Sequence, residues 1–147
     1  MSYSTEQGAF EVVVPNDTAQ VRVICENVVE LLERCAYSER DVFHVRLALE
    51  EALVNAVKHG NQMNPNKTIR VNCTVDSERA RLEIEDEGEG FCADEVPDTT
   101  EAEFIDRPGG RGLLLMRSMM SSVEFSNSGS KVIMEKLREQ CTEQVPA

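Results

Sequence analysis

The sequence has no tryptophan, and only 5% of its 147 residues are aromatic. Stacking platforms for single-stranded nucleic acid need more rings than that. Basic residues are scarce too: 15 Lys and Arg stand against 27 Asp and Glu, a formal net charge of −12. Nucleic-acid backbones and anionic membrane surfaces are bound through basic surface, so this balance argues against both as partners. Two histidines, His44 and His59, weaken any histidine-based metal centre. Cys25, Cys35, Cys73, Cys92 and Cys141 form an odd set with no C-x-x-C pair, which suggests neither a disulfide framework nor a zinc site. A reduced, cytoplasmic chain is the expectation. No apolar run approaches the ~18 residues of a membrane span. The stretch from Met1 to Glu6 has neither the basic nor the apolar segment of a secretory signal.

What is present is an ordinary globular composition, 41% hydrophobic and 29% charged. No linker, repeat or low-complexity tract divides the chain, so residues 1–147 are read as one domain. Phe10, Val12 and Val14 mark a strand over Ala9–Val14. Pro15-Asn-Asp17 breaks it and caps a helix over Thr18–Cys35, whose apolar stripe is Val21, Ile24, Val28, Leu31 and Leu32. Ser38-Glu-Arg-Asp41 is a second cap. It opens a helix over Glu39–His59, with Gly60 as the C′ residue. Apolar residues cover most of that helix, yet Glu51, Asn55 and His59 fall at i, i+4 and i+8 and make one polar stripe. Thr68–Val75 alternates strictly and Ala80–Asp86 alternates again, a hairpin turned at Asp76-Ser-Glu78. The 19 residues from Cys92 to Gly110 are irregular, a length at which loops tend to be functional lids or disordered. A short helix over Gly112–Ser121, then strands over Val123–Phe125 and Lys131–Leu137 around Asn127-Ser-Gly129, complete the fold; a polar, frayed tail starts at Arg138. Strands and helices segregate, so the expected class is α+β: a two-layer sandwich, a mixed but mostly antiparallel sheet with helices on one face.

Three short constellations carry chemistry. In Glu51-Ala-Leu-Val-Asn55 a carboxylate and an amide stand one turn apart and can share a ligand. The same spacing also fits a solvated helix edge, and the neighbouring Glu50 points away to solvent. Asp86-x-Gly88-x-Gly90 ends a hydrophobic strand in a carboxylate beside backbone that a ligand can approach closely. It also fits a plain strand-to-loop turn. Gly109-Gly-Arg-Gly112 enters a helix, where free N–H groups and the helix dipole favour an anion. It also fits a flexible loop end. In so acidic a chain, Arg107 and Arg111 make this one of few places for a polyphosphate, with a divalent cation to offset the remaining charge.

The order of these signals is more specific than any one of them. Asn55, Asp86 and Gly110 follow one another at intervals of 31 and 24 residues, on a helix, a strand end and a helix start. In this the sequence resembles the Bergerat-fold ATPases, which include DNA gyrase and sensor histidine kinases, over nearly the whole chain. Leu47-Ala-Leu-Glu-Glu-Ala-Leu-Val-Asn-Ala-Val-Lys-His-Gly60 resembles the N box of the bacterial anti-sigma-factor serine kinases. Arg111-Gly-Leu-Leu-Leu-Met-Arg-Ser118 resembles their last ATP box. The resemblance implies ATP and Mg²⁺ as cofactors. It implies Glu51 as general base, Asn55 as Mg²⁺ ligand and Asp86 as acceptor of the adenine amino group. Gly88 and Gly90 would line the adenine pocket, Gly110, Arg111 and Gly112 the phosphate end, and Cys92–Gly109 would be the ATP lid. His59 matches a position that often carries His, where packing or capping is the expected role. Two features depart from the pattern. The lid carries Asp94, Glu95, Asp98, Glu101, Glu103 and Asp106, which disfavours closure over a triphosphate, and Glu89 stands where proline is frequent.

The resemblance further implies a protein serine/threonine kinase that acts as an anti-sigma factor. Its partners would be a sigma factor and an antagonist of the STAS type, which it phosphorylates; the oligomeric state stays open, a homodimer being compatible. The alternative is a nucleotide-holding sequestering module with little transfer activity. Retention of Glu51 favours the kinase, because a pure binder has no need of a buried base. The catalytic half of a sensor histidine kinase fits less well, since no phosphoacceptor domain precedes the ATP-binding part. Gyrase-like coupling would need a transducer domain.

Overall fold

A computed structural model describes residues 8–88, 110–126 and 130–139 of the chain. The expectations for Gly90, the lid over 92–109, the Asn127–Gly129 turn and the tail beyond Glu139 lie outside the described residues. The elements are β1 (Ala9–Pro15), α1 (Thr18–Arg34), α2 (Glu39–Asn55) continued by a π-helical turn (Ala56–Gly60), β2 (Thr68–Val75), β3 (Arg79–Asp86), α3 (Gly110–Met119), β4 (Ser122–Ser126) and β5 (Lys131–Leu137). The five described strands form one sheet in the order β1-β2-β3-β5-β4. The expected class holds, and every described pairing is antiparallel.

Period-two alternation builds the sheet's inner face. One continuous row crosses all five strands: Phe10, Cys73, Leu82, Met134 and Val123 are successive register partners. The next inner row is Val12, Val71, Ile84, Val132 and Phe125. A third begins with Val14 and Ile69, and its β3 member is Asp86. Against these rows pack the buried stripes of α1 (Val21, Ile24, Val28, Leu31, Leu32) and of α2 (Val45, Ala48, Leu49, Ala52, Leu53). Helix α2 lies between α1 and α3 and also reaches β3 and β5, which explains its wide apolar circumference. Phe43 is the exception, 59% exposed near the start of α2. The outer face is laced with ion pairs such as Arg70–Glu11 at 3.5 Å and Lys131–Glu83 at 3.1 Å, each of small worth to stability.

Local signals set the helix ends. The Asp17 carboxylate accepts from the Ala19 N–H at 2.9 Å and the Ser38 hydroxyl from the Asp41 N–H at 3.0 Å. Asp41 does not return a bond to its own cap. It is 2% exposed, and its Oδ2 accepts from the Glu139 N–H at 2.7 Å. The chain just past β5 is therefore held, contrary to the expected fraying from Arg138. The Arg138 guanidinium sits 5.7 Å from the centre of the Tyr37 ring and donates to the Ala36 and Ser77 carbonyls. Helix α1 closes with Ala36 in the left-handed region (φ 63°) and the Tyr37 N–H bonded to the Leu32 carbonyl, the hydrogen-bond pattern of a Schellman cap without its usual glycine.

The end of α2 differs from expectation. After Asn55 the helix widens into a π turn, in which the Asn61 N–H bonds to the Ala56 carbonyl at 2.8 Å. The extra residue rotates the chain beyond it out of the α phase. Glu51 and Asn55 keep a shared face, while His59 falls in the π turn and is exposed. Gly60 does not take the left-handed C′ conformation; it ends the π turn, while Gln62 and Met63 have the positive φ values. Helix α3 begins at Gly110, two residues before the expected start.

Leu53 is fully buried on α2 between the turns that bear Glu51 and Asn55. Leu53→Ala should destabilise the chain by about 2–5 kcal/mol through lost burial and a residual cavity. Urea unfolding followed by far-UV circular dichroism measures it, and a loss below about 1 kcal/mol would mean that the site collapses freely.

Candidate nucleotide site

Asp86 occupies a position that strand alternation assigns to the core. Ala80, Leu82 and Ile84 precede it on the inner face, all buried. Its register partner is Ile69, itself paired with Val14. The carboxylate therefore sits under the helical layer at the end of β3. Burial raises its pKa above the ordinary aspartate value; the Gly88 N–H bond and the Lys67 charge oppose that rise, and Glu85 adds to it. Its Oδ1 accepts from the Gly88 N–H at 2.8 Å. Its Oδ2 lies against Gly60, where a Cβ would come within 2.2 Å of it. A Cβ on Gly88 would in turn meet the Gly60 carbonyl oxygen at 1.8 Å. Two glycines thus let the end of the π turn and the β3 exit close around one carboxylate.

The second half of the site lies between α2 and α3. Glu51 and Asn55, both partly exposed, share one face of α2, and Gly112 in the first turn of α3 is buried over them. A Cβ on Gly112 would stand 2.9 Å from Asn55 Nδ2 and 3.0 Å from Glu51 Oε2. The glycine keeps the space above these two polar groups open while Leu113 and Met116 anchor α3 in the core. The first N–H groups of an α-helix have no partner within it, so the start of α3 presents donors here. Glu50 is exposed, as its helical phase requires.

The structure thus brings Glu51, Asn55 and Gly112 together, and places Gly88 on Asp86. Gly110 starts α3, and the side chain of Arg111 lies outside the described residues. Sequence alone does not reveal Gly60 as clearance for Asp86, because its position after an apolar stripe reads as a helix cap. Nor does it reveal Asn61, which is wholly buried beside this carboxylate.

These residues fit a nucleotide and its magnesium ion. The cradle under Gly112 offers Asn55, whose carboxamide oxygen is a hard ligand of the kind Mg²⁺ takes. Among the described residues no group of three or more His, Cys, Asp or Glu forms a cage for a metal.

Residues 14–136 match the histidine kinase-like ATPase domain family. The chain belongs to that family. Its relatives within this ATPase family include proteins of similar length. It is 28% identical over 140 residues to the serine-protein kinase RsbW of Bacillus velezensis, covering 90% of this chain and 88% of that one. It is 29% identical to the RsbW of Bacillus subtilis, covering 86% and 84%. It is 26% identical to the anti-sigma F factor of Clostridium perfringens over 63% and 69%. Among solved structures, a Mycobacterium tuberculosis protein with RsbU and RsbW domains shares the fold at a TM-score of 0.57 and 14% identity. The match takes in 90% of this chain and 33% of that longer one. No described helix is long and apolar enough to cross a membrane.

The raised pKa of Asp86 has a thermodynamic signature. The folded chain holds this proton more tightly than the unfolded chain does. The group's contribution to stability therefore falls as pH rises from the ordinary aspartate value through the folded-state value, and is flat above it. Asp86→Asn removes that penalty and keeps an acceptor for Gly88. At neutral pH the variant should be no less stable than wild type, and its relative stability should decline as the pH is lowered into the aspartate range. Urea titrations at a series of pH values test this. A variant more than about 1 kcal/mol weaker at neutral pH would show that the carboxylate supports the fold.

Proposed function

We propose that this chain is an ATP-dependent protein serine/threonine kinase that acts as an anti-sigma factor. It would hold a sigma factor and phosphorylate a STAS-type antagonist, which then no longer displaces that factor. The observation that carries the reading is the pairing of Glu51 with Asn55 under Gly112, at the helix start where phosphates would lie. The names of the relatives supply the class of activity: serine-protein kinase for two, anti-sigma factor for another.

The proposed roles are these. The half-buried acceptor Asp86 takes a hydrogen bond from the exocyclic amine of adenine, a charge-assisted contact that guanine cannot reproduce. Gly60 and Gly88, which leave no room for a Cβ beside Asp86, would let backbone close on the base, and Gly90 would belong to the same pocket. Gly110, Arg111 and Gly112 would serve the phosphates, where a helix start favours negative charge. Asn55 would hold Mg²⁺, which when bound would supply neutralisation of phosphate charge. Glu51, one turn before Asn55, orients the acceptor hydroxyl and takes its proton as the phosphoryl group moves. Positioning and charge neutralisation are what phosphoryl transfer chiefly demands of a protein. The lid over 92–109 would cover the nucleotide. A cytoplasmic location and regulation of transcription belong to the same proposal.

Glu51→Gln keeps size and hydrogen-bonding reach but removes the basic oxygen. ATP–Mg²⁺ should still bind, while transfer to the antagonist should fall by roughly 10²-fold or more. Single-turnover transfer from labelled ATP, beside equilibrium ATP binding by the same preparation, makes the comparison. Absence of transfer in wild type would leave a sequestering module. Unchanged transfer in the variant would remove Glu51 from the chemistry.

A further inference from the structure

Asn61 is a polar side chain with no exposed surface, and it is saturated on three sides. Its Nδ2 donates to Asn16 Oδ1 and to the Thr68 carbonyl, both at 3.0 Å. Its Oδ1 accepts from the Glu87 N–H at 2.7 Å. Asn16, 7% exposed, donates from its own Nδ2 to the Asn64 carbonyl at 3.1 Å, and its backbone N–H bonds to the Lys67 carbonyl at 3.1 Å. Two facing carboxamides thus tie together the exit of β1, the end of the π turn, the loop into β2 and the exit of β3.

A buried amide pair is a costly way to fill a core, since each group loses water and must be fully repartnered. Its placement gives it a use. Glu87 N–H belongs to the peptide that immediately follows Asp86, so Asn61 Oδ1 fixes that peptide plane. On the other side the Asp86 N–H donates to the Ser130 carbonyl at 2.9 Å. The backbone of Asp86 is therefore held fore and aft, and its carboxylate is trapped between Gly60 and Gly88. Asn61 follows Gly60 directly, so one residue sets both the wall against the carboxylate and the peptide that carries it. It is also six residues beyond Asn55, which links the placement of the adenine acceptor to the helix that would hold the metal.

We propose that Asn61 is the positioning residue for adenine recognition, its buried carboxamide fixing the point at which the Asp86 carboxylate meets the exocyclic amine of the base. This rests on the reading of Asp86 as the adenine acceptor.

The test compares ATP with inosine triphosphate, which carries a carbonyl in place of that amine, by calorimetric titration of the full chain. Wild type should prefer ATP. Asn61→Ala should lose about tenfold or more in ATP affinity while inosine triphosphate changes by less than about twofold, so that the preference collapses. Backbone amide exchange followed by NMR should show faster exchange at Glu87. If Asn61→Ala does not fold, Asn16→Ala replaces it. That variant removes the anchor of Asn61 without touching Asp86 or Glu87, and should narrow the preference in the same direction. Equal losses for both nucleotides would reduce the amide pair to a structural element and overturn the inference. Asp86→Asn, titrated alongside, separates the two claims. If it abolishes the preference while loss of the amide pair does not, the inference fails and the adenine reading stands. If it leaves the wild-type preference intact, the adenine reading fails and the inference falls with it.

Discussion

A carboxylate stands where an apolar side chain belongs. Asp86 is the β3 member of an inner row begun by Val14 and Ile69, and burial opposes its ionisation. Much of the surrounding architecture accommodates that one group. The β3 exit turns at once so that the Gly88 N–H can reach Oδ1. The helical layer comes down on it as a glycine rather than as a side chain, because nothing larger than Gly60 fits beside Oδ2. A residue that weakens the apolar core is characteristic of a binding site, where local stability is given up for recognition.

The helical layer obeys a second constraint of the same kind. Helix α2 must present Glu51 and Asn55 toward α3 while burying Val45, Leu49 and Leu53 against the sheet and α1. An α-helix continued through His59 would keep the polar stripe going and carry Gly60 past Asp86. The π turn breaks that phase after Asn55 and delivers Gly60 and Asn61 to the β3 exit. Gly112 does beside Glu51 and Asn55 what Gly60 does beside Asp86. In both places close approach is achieved by omitting a side chain, and the groups left facing the gap are polar ones.

Strict alternation made the strands legible in the sequence. Thr68–Val75 and Lys131–Leu137 are found with the expected limits, and Ile69, Val71, Cys73 and Val75 are all buried as read. The caps at Asp17 and Ser38 were legible because short polar side chains before apolar stripes have one main use. Glu51, Asn55 and Asp86 were visible as polar residues interrupting apolar patterns. The end of α2 was not legible, because a π turn has no periodic signature and Gly60 looks like any helix-stopping glycine. Asn16 and Asn61 were hidden by composition. Both lie in or beside Asn- and Pro-rich segments that read as solvated turn, and only the fold reveals that they face each other across the core.

The sheet order has a consequence for synthesis. Strand β5 is the last of the described strands to be made, yet it lies between β3 and β4. While the ribosome is still translating the residues after β3, the hairpin of β2 and β3 with β1 presents an unpaired edge along Arg79–Asp86, a template for pairing with another chain. Domains tend to assemble as their N-terminal parts emerge, at about 5–20 residues per second. Here the nascent sheet waits for Lys131–Leu137 before β3 is covered. The outer-face residues on that edge, Arg79, Arg81, Glu83 and Glu85, are all charged, which protects the waiting strand from its neighbours on the polysome.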